Sequence, residues 1–176
     1  MMCAGVPERP LAYSVKNLIL IGMPGSGKST VGQLVAERMG RPFIDTDQVI
    51  EADAGCSIPT IFEREGEAGF RRRETAVLEV IGKESSQVIA TGGGCVTRPE
   101  NAPHLRQNGI IFWLERRVAD LPCAGRPLSR SADMEALYAA RLPLYRRFAD
   151  HSIENIGDPG VVAEQVLEAF YEALSH

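Results

Sequence analysis

Residues 22–30 read Gly22-Met23-Pro24-Gly25-Ser26-Gly27-Lys28-Ser29-Thr30, a complete G-x-x-x-x-G-K-[ST] sequence. An apolar run, Leu18-Ile19-Leu20-Ile21, precedes it and reads as a buried strand. Val31, Leu34, Val35 and Met39 follow at helical spacing. The strand–loop–helix setting is what gives such a motif structural meaning. Its glycines let successive backbone N–H groups curl around a phosphate, and the helix start adds the positive end of its dipole. Gly25, Ser26, Gly27, Lys28, Ser29 and Thr30 are therefore expected to hold the phosphates of a nucleotide. Lys28 would reach the outer phosphates, and the Ser29 hydroxyl would ligate Mg²⁺ directly. A glycine-rich turn that binds nothing is the competing reading, and both flanks count against it. The chain is expected to bind a nucleoside triphosphate, ATP being the usual one.

The remainder alternates strands with helices. Short strands are expected at 41–45, 87–91, 110–114 and 152–154. Helices are expected at about 47–54, 59–82, 98–107, 133–148 and 159–174. In the last, Val161, Val162, Val166, Leu167, Phe170 and Leu174 form one apolar stripe. Residues 119–131 hold two prolines and a glycine with little periodicity, and read as a loop. Such alternation predicts a three-layer α/β fold of the P-loop NTPase type: a five-stranded parallel sheet with helices on both faces. Ligands in these sheets lie beyond the carboxyl ends of the strands. That rim collects the phosphate loop, the Asp45 region and Gly92-Gly93-Gly94, with a short lid loop over about 116–131. At 176 residues, one domain over 16–176 behind a flexible N-terminal arm (1–15) is expected.

Composition narrows the partners. A formal net charge of −4, with Arg71-Arg72-Arg73 as the densest basic cluster, argues against a nucleic-acid surface. No apolar run approaches the length that spans a bilayer, and the N-terminus lacks the pattern of a secretory signal. The four cysteines, Cys3, Cys56, Cys95 and Cys123, are widely separated and have no metal-ligand spacing. A cytoplasmic protein follows as the expectation.

Four further features carry chemistry, each with a plain alternative. Asp45-Thr46-Asp47 ends the second strand, and two carboxylates two apart on extended chain share a side. One suits the Mg²⁺ shell and the other a reacting hydroxyl, yet all three residues also suit a helix N-cap. Arg71 and Glu74 share a helix face. There an arginine fork fits a substrate carboxylate, held in place by the glutamate, although a solvated basic face reads equally simply. Thr91-Gly92-Gly93-Gly94 permits close approach of backbone to a ligand or forms a tight turn. Arg126-Pro127-Leu128 and Arg141-x-Pro143-Leu144-Tyr145 offer arginines of the kind that neutralise a transferring phosphoryl group, or exposed ones.

In order and spacing these motifs resemble the shikimate kinase family, from about Asn17 to the C-terminal helix. The phosphate loop is followed by D-x-D (Asp45, Asp47), then G-E-x-x-F-R (66–71), Glu74, T-G-G-G (91–94), R-P-L (126–128) and R-x-P-L-Y (141–145). The resemblance implies ATP-dependent phosphorylation of shikimate to shikimate 3-phosphate, with Mg²⁺, in aromatic amino-acid biosynthesis. It implies that Asp47 binds the shikimate hydroxyls and promotes attack, and that Lys28 and Arg126 act with it in catalysis. It makes Arg71 and Arg141 the carboxylate clamp, Glu74 the residue that orients Arg71, and Gly92, Gly93 and Gly94 the pocket wall. Asp45 assists Mg²⁺ through water, and Arg126 and Asn155 contact ATP. Its partners are small molecules, with no nucleic acid or membrane, and it acts as a monomer. One departure stands out. Many members carry an extra lid arginine that stacks on adenine, whereas Leu121-Pro122-Cys123-Ala124-Gly125 has none, leaving Arg116 or Arg117 as substitutes. A gluconate kinase of similar fold and a non-catalytic nucleotide-binding module are the rival readings. Neither requires the full motif set.

Overall fold

The computed structural model describes residues 14–122 and 128–176. The elements run β1 (Asn17–Ile21), α1 (Lys28–Met39), β2 (Phe43–Asp45), α2 (Thr46–Ala54), α3 (Ile58–Ile81), β3 (Val88–Ala90), α4 (Asn101–Arg106), β4 (Gly109–Glu115), α5 (Leu128–Phe148), β5 (His151–Glu154) and α6 (Pro159–Leu174). The five strands form one sheet in the order β2-β3-β1-β4-β5, with every pairing parallel. The α/β architecture expected from the alternation of elements is the one observed. Most of the arm assigned to 1–15 and the lid segment 123–127, Arg126 included, lie outside the described residues.

Parallel strands covered on both faces are apolar throughout, and β1 is fully buried along its length. Its side chains alternate between two cores. Ile19 and Ile21 pack with Ile89, Ile111 and Trp113 against α3, α4 and α5, through Phe70, Leu78, Leu105, Tyr145 and Phe148. Leu18 and Leu20 pack with Phe112 and Leu114 against α1 and α6, through Val31, Val35, Val162, Val166 and Phe170. The apolar stripe expected on the last helix is thus its buried face, except that Val161 is 56% exposed. Phe170 is fully buried, and its replacement by alanine is expected to cost about 3–5 kcal/mol. Asp158 caps α6, its Oδ1 accepting from the N–H groups of Gly160 (2.8 Å) and Val161 (3.3 Å).

Three elements depart from the sequence expectation. α5 begins at Leu128 rather than 133. Its first turns lack an apolar stripe, so periodicity read them as loop, yet serine, arginine and alanine tolerate helix well. The helix expected over 98–107 is shorter, the six residues of α4, and a 3-10 turn at Cys95–Thr97 precedes it. α3 runs as expected but is broken at Gly66, whose φ of +68° interrupts the helix and is accessible to glycine without steric cost.

Candidate active site

The carboxyl ends of β1, β2 and β3 open onto a cavity of about 510 Å³. The phosphate loop forms one wall, through Gly25, Gly27, Lys28, Ser29 and Thr30. Gly27 takes φ +91° to lead into α1, a conformation that a side chain disfavours. Ser26 is wholly buried beneath the loop, and its carbonyl accepts from Asn155 Nδ2 at 2.5 Å. Asn155 comes from the turn after β5, so the last strand fastens the first loop.

Lys28 folds back over its own loop. Its Nζ donates to the carbonyls of Gly22 and Met23, each at 2.8 Å. Burial lowers its pKa to about 8, against the partial opposition of Asp47 and Asp45. The ammonium therefore sits in the loop already partly dehydrated, held by backbone dipoles of the kind a phosphate replaces.

Asp45 uses a different carboxylate oxygen for each of two neighbours. Its Oδ1 accepts from the Asp47 N–H at 3.0 Å, capping α2, and its Oδ2 accepts from the Ser29 hydroxyl at 2.9 Å. A hard cation with phosphate oxygens as its other ligands needs only one or two such protein oxygens, so the pair fits Mg²⁺. Among the described residues no cluster of three or more His, Cys, Asp or Glu could hold a metal alone.

Asp47 lies in the first turn of α2 rather than on the strand, so the alternation argument for its direction does not apply. It still lines the same cavity as Asp45. Its Oδ1 is buried and has no hydrogen-bond partner. Desolvation, then the charge of Asp45, raises its pKa above the ordinary aspartate value. A buried acceptor without a donor is costly and marks a place where a ligand hydroxyl belongs.

Beyond Asp47 stands an arginine–glutamate pair from α3. Arg71 Nη1 meets Glu74 Oε2 at 2.7 Å, and the Glu74 side chain is fully buried. Burial raises the Glu74 pKa, opposed by Arg71. Arg71 Nε and Glu74 Oε1 are buried without hydrogen bonds. Arg141, from α5, bears on the same place. Its charge and that of Arg71 both act on Tyr145, one turn along from Arg141, and on Glu74. Two arginines from different helices thus bear on one buried acid.

Each glycine of Gly92-Gly93-Gly94 is explained by a different neighbour. A side chain on Gly92 would begin 2.8 Å from both Asp47 Oδ1 and Glu74 Oε1. One on Gly93 would strike the Pro24 ring, and one on Gly94 the Arg71 guanidinium. The segment is held from both ends: Gly92 N–H donates to the buried Thr46 hydroxyl at 3.1 Å, and Tyr145 donates to Gly93 O at 2.5 Å. Gly92 and Gly93 line the cavity, whereas Gly94 serves the site by making room for Arg71.

The expected residues Lys28, Ser29, Asp45, Asp47, Arg71, Glu74, Arg141 and Gly92–94 are therefore brought together around one cavity and its inner wall. Sequence reasoning gave no part to Thr46 or Tyr145. Tyr145 stood inside a quoted motif, but the Thr46 hydroxyl had no signal beyond helix capping. Of the two arginines after β4, Arg116 lines the cavity. Arg117 points away, 75% exposed and paired with Asp120 at 2.8 Å.

Known proteins place this geometry. The sequence model described as "Shikimate kinase" matches residues 24–171. The shikimate kinase of Burkholderia lata is 47% identical, covering 82% of this chain and 83% of that protein. That of a Synechococcus species is 43% identical, covering 96% and 89%. Among solved structures, shikimate kinase from Acinetobacter baumannii in complex with shikimate superposes with a TM-score of 0.85 at 36% identity, covering 91% of this chain and 95% of that one. Fold, motif order and the extent of these matches agree, and the chain belongs to the shikimate kinase family.

Proposed function

We infer that this protein transfers the γ-phosphoryl group of ATP to a shikimate hydroxyl, giving shikimate 3-phosphate and ADP for aromatic amino-acid biosynthesis. The observation that carries the reading is the buried Arg71–Glu74 pair beside Asp47, whose Oδ1 lacks a donor, on the cavity lined by the phosphate loop. Shikimate has a carboxylate for Arg71 and Arg141 and hydroxyls for Asp47.

Phosphoryl transfer asks little covalent chemistry of a protein, so positioning and charge neutralisation do most of the catalysis. Asp47 holds the attacking hydroxyl and accepts its proton. Its raised pKa makes it a better base than an ordinary aspartate. Lys28 exchanges two loop carbonyls for the outer phosphates. Gly92 and Gly93 form the wall that lets the acceptor lie against backbone. Ser29 and Asp45 would hold Mg²⁺, Ser29 directly and Asp45 through water. When bound, the ion supplies further neutralisation of phosphate charge. Arg126 is assigned to the phosphoryl group by its R-P-L motif alone.

Residues 16–176 are read as one kinase domain acting as a cytoplasmic monomer. Among the described residues no helix is long and apolar enough to cross a membrane. The test is ADP release from MgATP with and without shikimate, beside Asp47→Asn. Release that depends on shikimate and disappears in the variant supports the reading. Release indifferent to shikimate assigns the acceptor wrongly, and no release from protein that still binds ATP restores the non-catalytic module.

A further inference from the structure

The phosphoryl-transfer chemistry above gives no role to Thr46, yet Thr46 stands between the two acids that chemistry needs. It opens α2, with Asp45 before it and Asp47 after it. It is wholly buried, and its hydroxyl accepts from the Gly92 N–H at 3.1 Å. A threonine at the start of a helix is ordinarily spent as a cap. Here that work is done by Asp45, whose Oδ1 accepts from the Asp47 N–H at 3.0 Å. The Thr46 hydroxyl is therefore directed at the neighbouring strand and not at its own helix. It continues the sheet by one more step. Val88 N–H donates to Pro42 O at 3.0 Å, and the parallel register runs on to Asp45 opposite Ala90. Gly92 and Thr46 lie four residues beyond Val88 and Pro42 on their respective segments, so the side-chain bond keeps the same register after the backbone has turned into α2. On its other side the end of β3 is tied to β1, where the Thr91 N–H and hydroxyl both donate to Leu20 O at 3.1 Å.

Gly92 is the point at which this bond can matter to a substrate. A side chain there would begin 2.8 Å from Asp47 Oδ1 and 2.8 Å from Glu74 Oε1, and both oxygens are buried without hydrogen-bond partners. The Gly92 backbone thus borders both free acceptors at once. Thr46 is the residue next to Asp47, so its bond fixes how far the glycine wall stands from that carboxylate. We propose that Thr46 is a positioning residue for the acceptor, its hydroxyl holding the Gly92 wall against Asp47 so that the reacting hydroxyl meets both in one geometry. The proposal rests on the kinase reading above. A displacement of about 1 Å at a reacting group can lower the rate about a hundredfold, and this one hydrogen bond is the direct tie between the wall and the helix that bears the base.

The test compares Thr46→Val and Thr46→Ser with the unaltered protein. Valine keeps the shape and removes the oxygen, leaving the Gly92 N–H buried without an acceptor, whereas serine keeps the oxygen and drops a methyl group. The readouts are kcat, the KM for shikimate, MgADP affinity by calorimetry, and exchange of the Gly92 amide followed by NMR. In Thr46→Val the KM for shikimate is expected to rise about tenfold and kcat to fall about tenfold, the scale of one lost hydrogen bond with a misplaced acceptor. MgADP affinity should stay within about twofold, because Ser29 and Asp45 keep their own bond. The Gly92 amide should exchange faster in Thr46→Val than in the unaltered protein. Thr46→Ser should restore kcat, KM and amide protection to within about threefold. Shikimate kinetics unchanged in Thr46→Val overturn the proposal. So does equal weakening of shikimate and ADP, the mark of a structural role, and so does failure of serine to recover what valine lost. If Thr46→Val does not fold, Thr46→Ala, which leaves room for water at the Gly92 N–H, takes its place with the same expectations. If neither folds while Thr46→Ser does, the bond holds the fold and not the acceptor, and the proposal is overturned. An unaltered protein that neither binds nor phosphorylates shikimate overturns the kinase reading and this assignment with it, whereas an active protein indifferent to Thr46→Val overturns this assignment alone.

Discussion

Arg71 and Glu74, one helical turn apart on α3, are joined at 2.7 Å with the glutamate sealed completely from solvent. The relationship is asymmetric. Arg71 retains 12% exposure of its side chain, while Glu74 has no other ion-pair partner among the described residues. Removing the arginine strands a buried acid. Arg71→Ala is therefore expected to lower stability by about 3–5 kcal/mol and to weaken shikimate binding far more than ADP binding. Thermal unfolding and the two KM values check both halves. Equal loss of both ligands would sink the carboxylate clamp, and Arg141→Ala should weaken shikimate with a smaller fall in Tm.

Asp47→Asn keeps size and removes the negative charge. Turnover should fall by at least about a hundredfold, the usual scale of a lost general base. ADP affinity should change little, because the phosphate loop is untouched. A large loss of ADP affinity would move Asp47 from the acceptor to the nucleotide.

Gly92→Ala places a methyl group 2.8 Å from both Asp47 Oδ1 and Glu74 Oε1. The two carboxylate oxygens must give way. The variant is expected to raise the KM for shikimate at least about tenfold with ADP binding retained. Shikimate kinetics like those of the unaltered protein would show that backbone at 92 does not border the acceptor.

The Lys28 ammonium titrates near pH 8 before ligand arrives, lowered by burial. A bound triphosphate stabilises the charged form, so its pKa rises on binding and protons are taken up. Affinity for ATP should thus be greatest below about pH 8 and fall as pH rises above it. Calorimetry in buffers of different ionisation enthalpy reads this uptake directly. On the acid side, kcat/KM should fall as Asp47 protonates, at a pH above that of an ordinary aspartate because its pKa is raised by burial and by Asp45.

Tyr145→Phe removes one hydroxyl, which donates to Gly93 O and feels the charge of Arg141. The ring stays packed beside Trp113, 5.8 Å between centroids. Loss of about 1–2 kcal/mol in stability is expected from the unpaired buried carbonyl, with a higher KM for shikimate through the loosened Arg141. A change in ATP KM alone would contradict this coupling.

Much of this was legible in the chain because it depends on local sequence. The phosphate loop, the alternating strands and the order of the motifs are all features of neighbouring residues. The double use of Asp45, on the Asp47 N–H and on the Ser29 hydroxyl, was not legible, since spacing does not show that each carboxylate oxygen takes a different neighbour. The start of α5 was missed because Ser129-Arg130-Ser131-Ala132 has no apolar period to detect. Asn155 was expected to touch adenine. It does line the smaller cavity, but its amide is also tied to Ser26 O. That contact joins residues 129 positions apart, and no local pattern encodes it. Nor could sequence separate Arg116 from Arg117, which differ only in the direction taken after β4.

The Asn155–Ser26 bond also sets an order of events during synthesis. The loop that cradles phosphate is made 129 positions before the amide that steadies it. A chain still growing on the ribosome holds an unfinished cradle until β5 has joined the sheet edge. The protein therefore acquires its loop carbonyl clamp only once β5 and the turn after it are in place. A truncation before residue 155 would lose nucleotide affinity although every residue of the phosphate motif remained.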